Sequence, residues 1–155
     1  MSFSIRPTQT TDCDDLKLVL DSCELFPSEL LDEMVYDYFN NPETEDIWFT
    51  AISDEVPVAV GYCVPEKLTE GTYNLLAIGV SKDEQGKGIA KEMMHYIEQL
   101  LKDKGARILI VETSSDDAQF PARNLYNKIG YHQEAIIRDF WKDGEDKIVF
   151  WKRVK

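Results

Sequence analysis

The chain has 155 residues, 43% of them hydrophobic and 30% charged, and carries a formal net charge of −12. That length gives one core of ordinary size, and the composition belongs to a globular chain rather than a disordered one. The acidity disfavours non-specific nucleic-acid binding, which needs a cationic surface, and suits a cationic partner such as an amine.

No apolar run approaches the roughly 20 residues needed to cross a bilayer. The N-terminal stretch Met1-Ser2-Phe3-Ser4-Ile5-Arg6-Pro7 lacks the basic start and apolar core of a signal peptide. Three cysteines, Cys13, Cys23 and Cys63, have neither paired nor metal-like spacing. No metal site and no membrane association are expected, and a reducing cytoplasmic location fits.

In chain order, Phe3-Ser4-Ile5-Arg6 alternates as a first strand closed by Pro7. Thr11 followed by Asp14 resembles a capping box, after which Leu16, Val19 and Leu20 recur at helical spacing. A second helix is expected from Ser28 to Phe39 and is stopped by Asn40-Asn41-Pro42. Trp48 to Ile52 and Val56 to Val64 read as a hairpin around Ser53-Asp54-Glu55. Tyr73 to Val80 is long and apolar enough for a central strand.

The spacing of Ile89, Ala90, Met93, Met94, Ile97, Leu100 and Leu101 predicts an amphipathic helix from Gly88 to Lys104, ended by Gly105. Arg107 to Val111 reads as a buried strand. Pro121 suits the first turn of a short helix through Lys128, with Gly130 after it. Tyr131 to Phe140 and Lys147 to Val154 form a final hairpin. The order β-α-α-β-β-β-α-β-α-β-β predicts an α/β fold, a mixed and mostly antiparallel central sheet flanked by helices on both faces, in a single domain over 1–155.

The segment Ile78-Gly79-Val80-Ser81-Lys82-Asp83-Glu84-Gln85-Gly86-Lys87-Gly88-Ile89-Ala90 carries chemistry. A strand ends, two glycines follow closely, and a helix begins. Unpaired N–H groups and the positive end of the dipole make a helix start an anion site, above all for phosphate. Glycine at 86 and 88 lets the backbone approach an oxyanion. The lysine-serine/threonine ending of a P-loop is missing. A dinucleotide fingerprint fails too, because Lys91 stands where its third small residue belongs.

Gln85-Gly86-Lys87-Gly88-Ile89-Ala90 resembles the pyrophosphate loop Gln/Arg-x-x-Gly-x-Gly/Ala of the GCN5-related N-acetyltransferase (GNAT) family. Ala122-Arg123-Asn124-Leu125-Tyr126-Asn127-Lys128-Ile129-Gly130-Tyr131 is similar to a second signature of that family, in the right order and spacing. The resemblance implies that acetyl-CoA is the acetyl donor, and that Gln85, Gly86, Lys87, Gly88, Ile89 and Ala90 cradle its pyrophosphate. It also implies that the backbone of Ile78, Gly79 and Val80 pairs with pantetheine like an added strand, and that Tyr126 is the general acid for the thiolate. Gln119 stands where many members have a pantetheine-binding Asn, and Arg123 shares a helix face with Tyr126 within reach of a CoA phosphate.

Acetyl transfer to an amine needs a neutral amine, donors for the oxyanion and a proton for the departing thiolate. No Ser-His or Cys-His arrangement stands out, so direct attack in a ternary complex is expected. The fourth strand has no carboxylate, which leaves Glu66, Glu112, Asp139 or water as the base. His95 and His132 read as surface residues. The acceptor, a small amine or a peptide, is expected against Phe26-Pro27-Ser28-Glu29 and Asp139 to Asp146, where acids and aromatics mix. The alternative is a non-catalytic acyl-CoA-binding sensor or regulatory module. Exposed sheet edges would allow a homodimer.

Overall fold

The computed structural model describes residues 2–155. Its elements are β1 (Ser4–Pro7), α1 (Cys13–Cys23), α2 (Leu31–Asn40), β2 (Ile47–Ser53), β3 (Val56–Pro65), β4 (Thr72–Val80), α3 (Ile89–Asp103), β5 (Ile108–Ser114), α4 (Phe120–Lys128), β6 (His132–Lys142) and β7 (Glu145–Arg153). This is the predicted order. The strands form one seven-stranded sheet, β1-β2-β3-β4-β5-β7-β6. The β4·β5 pair is parallel, whereas β1·β2, β2·β3, β5·β7 and β6·β7 are antiparallel, so the sheet is mixed and mostly antiparallel as expected. The chain groups into two compact units, Met1–Val64 with Leu76–Ile97 and Pro65–Leu75 with Glu98–Lys155.

In the first unit, Leu16, Val19 and Leu20 of α1 bury with Leu31 and Val35 of α2 against Trp48 and Val60 of the sheet. Trp48 stacks on Tyr62 with ring centroids 4.1 Å apart. The β2–β3 turn places Asp54 and Glu55 at φ 51° and 66°, the left-handed pair that matches strand twist in a tight hairpin. A side chain at Gly61 would meet the ring of Phe49 at 2.3 Å, so the ring takes the place of a Cβ.

The start of α1 corrects one expectation. The capping pair is Gln9 and Asp12, not Thr11 and Asp14. Asp12 is buried, accepts the Gln9 N–H at 2.8 Å and takes a two-pronged ion pair from Arg6 at 2.7 and 2.8 Å. Arg6 on β1 draws in that carboxylate, and hydrogen bonding from Arg6 holds Asp12 below the ordinary aspartate range despite its burial.

In the second unit, Thr72–Leu75 of β4 run parallel to Ile108–Val111 of β5. β5 pairs with β7 from Ile108↔Arg153 to Ser114↔Lys147. The phenol rings of Tyr126 and Tyr131 and the ring of Phe150 pack together at 5.3–5.9 Å. The last hairpin is longer than expected, because β6 runs on to Lys142 and β7 begins at Glu145. Asp139 makes this possible. It adopts φ 54°, its N–H donates to Asp146 Oδ1 at 3.0 Å, and its Oδ1 accepts from Gly144 N at 2.9 Å, which absorbs the irregular register between Ile137 and Lys142.

Candidate functional site

In the first unit, β4 ends at Val80 and the chain turns through Ser81–Gly88 into α3. The turn is tied at its root. Ser81 N donates to the Val58 carbonyl at 2.8 Å, and Gln85 Nε2 donates to the Val80 carbonyl at 3.0 Å. Gln85 therefore folds its side chain back onto the strand end that it follows.

Gly86 and Gly88 have φ +81° and +85°, and a Cβ at either would meet nothing within 4 Å. Conformation rather than crowding requires glycine here, and the loop face is open. The Gly88 carbonyl accepts the Glu92 N–H at 3.2 Å, so the helix begins there. Its first N–H groups have no intrahelical acceptor and carry the positive end of the dipole. Ile89 is buried and fixes this turn, Ala90 is half-buried, and exposed Lys87 pairs with Glu84 at 3.0 Å. An open cradle of donors beside a lysine fits a pyrophosphate. Gly79 has another reason: a Cβ there would lie 2.9 Å from Leu25 Cδ2 and 3.0 Å from Cys23 Sγ. The half-buried Ile78 precedes it on β4.

In the second unit, Tyr126 on α4 is 3% exposed, and burial pushes its phenol well above the ordinary tyrosine value. Its hydroxyl takes no hydrogen bond among the described residues. The group stays protonated at neutral pH and has its proton available. Gln119 occupies the N-cap position of α4, with no side-chain cap bond. One nitrogen of Arg123 donates to the carbonyls of Ser114 and Asp116, tying α4 to the chain that follows β5.

Of the three carboxylates expected as base candidates, the fold brings two together. Asn74 Nδ2 donates to Glu66 Oε1 at 2.8 Å and to Glu112 Oε2 at 3.0 Å. Glu112 Oε2 also pairs with Lys147 Nζ at 3.0 Å. Asp139 is engaged in the hairpin as described. Lys147 Nζ lies 4.2 Å from the ring centre of Phe140, whose edge meets Trp141, and both aromatics are about half exposed. Phe26, from the other expected acceptor stretch, is half-buried against the core of the first unit. His132 lies beside Trp151, and His95 lines an open groove with Ser2, Phe3, Ile5, Glu92 and Tyr96.

Sequence reasoning missed Asn74 and Lys147. The available signal was Asn74 itself, a lone amide in the apolar run Tyr73 to Val80, which must find partners when buried.

Residues 16–131 match the family model described as the acetyltransferase (GNAT) family. Among curated proteins, none matches the chain. Solved structures share the fold. One is a Desulfovibrio desulfuricans protein ascribed to the GNAT acetyltransferases, with 24% identity over 99% of this chain and 100% of that one and a TM-score of 0.89. The ribosomal-protein-S18-alanine N-acetyltransferase of Escherichia coli has 18% identity over 99% and 95%, with a TM-score of 0.80. An aminoglycoside 6'-N-acetyltransferase complexed with coenzyme A has 14% identity over 98% and 97%, with a TM-score of 0.80.

Proposed function

Because the chain belongs to the acetyltransferase (GNAT) family, we propose that residues 1–155 act as one N-acetyltransferase domain. It moves the acetyl group of acetyl-CoA to a primary amine by direct attack in a ternary complex. The observation that carries this reading is Tyr126: a buried phenol, kept protonated, whose hydroxyl no described neighbour engages.

Acetyl-CoA, when bound, supplies an activated thioester carbon. The N–H groups from Gly86 to Ala90, with Lys87, hold the pyrophosphate, and Gln85 keeps the loop docked on Val80. Backbone groups of Ile78 and Val80, on either side of Gly79, face pantetheine, as does the amide of Gln119. The remaining nitrogens of Arg123 are offered to phosphate. Tyr126 holds the proton that a departing thiolate needs. The acceptor class is a small amine or a peptide. A relative named for an aminoglycoside and another named for a ribosomal-protein alanine support that class. Free cysteines at 13, 23 and 63 suit a cytoplasmic setting.

The rival reading, an acyl-CoA-binding sensor without chemistry, drew on the lack of a carboxylate on β4. Asn74 on that strand gathers two carboxylates from elsewhere, which favours the enzyme. Thiol release from acetyl-CoA across a panel of small amines, amino acids and peptide N-termini is the test. Release with at least one amine is expected. Acetyl-CoA binding by calorimetry with no release for any amine would leave the sensor, and no affinity at millimolar ligand would defeat both.

A further inference from the structure

The cluster on Asn74 is incomplete in charge and in hydrogen bonding. Asn74 is 2% exposed, and its Nδ2 is committed to Glu66 and Glu112. That commitment fixes which way the amide faces, because an amide oxygen could not donate to either carboxylate. Oδ1 is left buried with no partner. A buried acceptor without a donor forfeits about 1–3 kcal/mol. The two carboxylates hold two negative charges on one amide. Lys147 compensates that of Glu112, and Glu66 has no cation partner among the described residues.

A cluster with one uncompensated negative charge and one orphaned acceptor lacks a group that is cationic and carries several N–H donors. A primary ammonium has both properties, whereas a metal ion lacks the donors and a quaternary ammonium lacks them too. We propose that Glu66, Glu112 and Asn74 Oδ1 form the docking site for the acceptor's primary ammonium, and that Glu66 takes its proton. This site rests on the acetyl-transfer reading for its role, though not for its occupant.

Glu66 rather than Glu112 is the base because of Lys147. A proton placed on Glu112 would leave the Lys147 ammonium, 13% exposed, without its counter-charge. A proton placed on Glu66 removes the uncompensated charge and the repulsion between the two carboxylates together. The balance is complete. The ammonium gives one proton to the Glu66 carboxylate, and the freed nitrogen lone pair forms the N–C bond to the acetyl carbon. The C–S bond then breaks, its electron pair leaves with sulfur, and the nitrogen's second proton is lost as sulfur gains one. Glu66 returns its proton to solvent, so the sum is ammonium plus thioester giving amide, thiol and one proton. Asn74 is a positioning residue: it sets the carboxyl groups and does not itself move a proton.

The test separates binding from turnover. Propylammonium chloride titrated into the whole chain should shift the side-chain amide resonances of Asn74, and tetramethylammonium chloride should not. In Glu66→Gln the shift should be lost. Resonances unmoved by propylammonium, or moved equally by both cations, would overturn the site whether or not the protein transfers acetyl groups. For the proton, kcat/KM with the best amine of the panel should fall about 100-fold in Glu66→Gln, with acetyl-CoA affinity unchanged. Added formate should restore part of the rate in Glu66→Ala. Wild-type kcat/KM in Glu66→Gln alongside a large loss in Glu112→Gln would move the base to Glu112. Ammonium binding without any acetyl transfer would support the site and sink the enzyme reading instead.

Discussion

Replacing Tyr126 with Phe removes one oxygen and leaves the ring that packs against Tyr131 and Phe150. A structural hydroxyl and a chemical one then give opposite results. The hydroxyl accepts and donates no hydrogen bond among the described residues, so its loss breaks none. Burying an unpaired hydroxyl costs about 1–3 kcal/mol in protein mutational data. Tyr126→Phe should therefore leave stability unchanged or raise it by up to about 1 kcal/mol, a gain of roughly 2–4 °C in Tm for a domain of this size. As general acid, the same hydroxyl should be worth about 100-fold in kcat, which is about 2.7 kcal/mol of barrier. Burial raises the phenol's folded-state value, so the acid keeps its proton as pH rises through the ordinary tyrosine range near 10, and wild-type kcat should show no basic fall from this group below it. Thermal melts and full pH profiles of kcat on both proteins decide the matter. Wild-type turnover at every pH, or a clear fall in Tm, refutes the reasoning.

Three further substitutions probe the frame around that chemistry. Gly88→Ala meets no neighbour but forces a side chain to φ +85°, at roughly 1–2 kcal/mol. Acetyl-CoA affinity by calorimetry should drop about tenfold, while Gly105→Ala, with the same open space at φ +83°, should leave affinity intact. Equal affinity in Gly88→Ala and wild type would remove the loop from cofactor binding. Asp12→Asn breaks the Arg6 pair and should destabilise by about 2–3 kcal/mol at neutral pH, tempered because the Arg6 side chain is 32% exposed. Asp12 has a depressed folded-state value, so its contribution is complete above the unfolded value of about 3.9 and fades as pH falls through the folded one. Urea melts should show the mutant's deficit shrinking in acid, and a deficit constant with pH would contradict this. Gly61→Ala drives a methyl into the Phe49 ring and should lose about 1–3 kcal/mol or more by urea melt, and an unchanged midpoint would mean that the ring moves aside freely.

The pieces legible in the sequence were those governed by local rules. Periodicity and turn residues gave the element order, and the paired glycines marked the helix start because their φ values exclude other side chains. What stayed hidden depended on register between distant strands. Glu66 and Glu112 meet on Asn74 only because β4 runs parallel to β5 in one alignment, and nothing in the order of residues states that alignment. The cap of α1 was misjudged for a similar reason, since Thr11 and Asp14 satisfy the local pattern while Arg6, from another element, selects Asp12. Arg123 read as a phosphate ligand by its helix face, and the carbonyls that engage it come from the chain after β5.

The two compact units are both discontinuous in the chain. The backbone passes from one to the other at residues 64–65, 75–76 and 97–98, and the last two passages lie inside β4 and inside α3. Neither unit can be copied, deleted or transplanted as a single stretch of gene. A recombination point at either of those passages would cut a strand or a helix in the middle. Descent by module shuffling is closed to such a chain, and it must be inherited and diversified as a whole, with new acceptors reached by substitution in place.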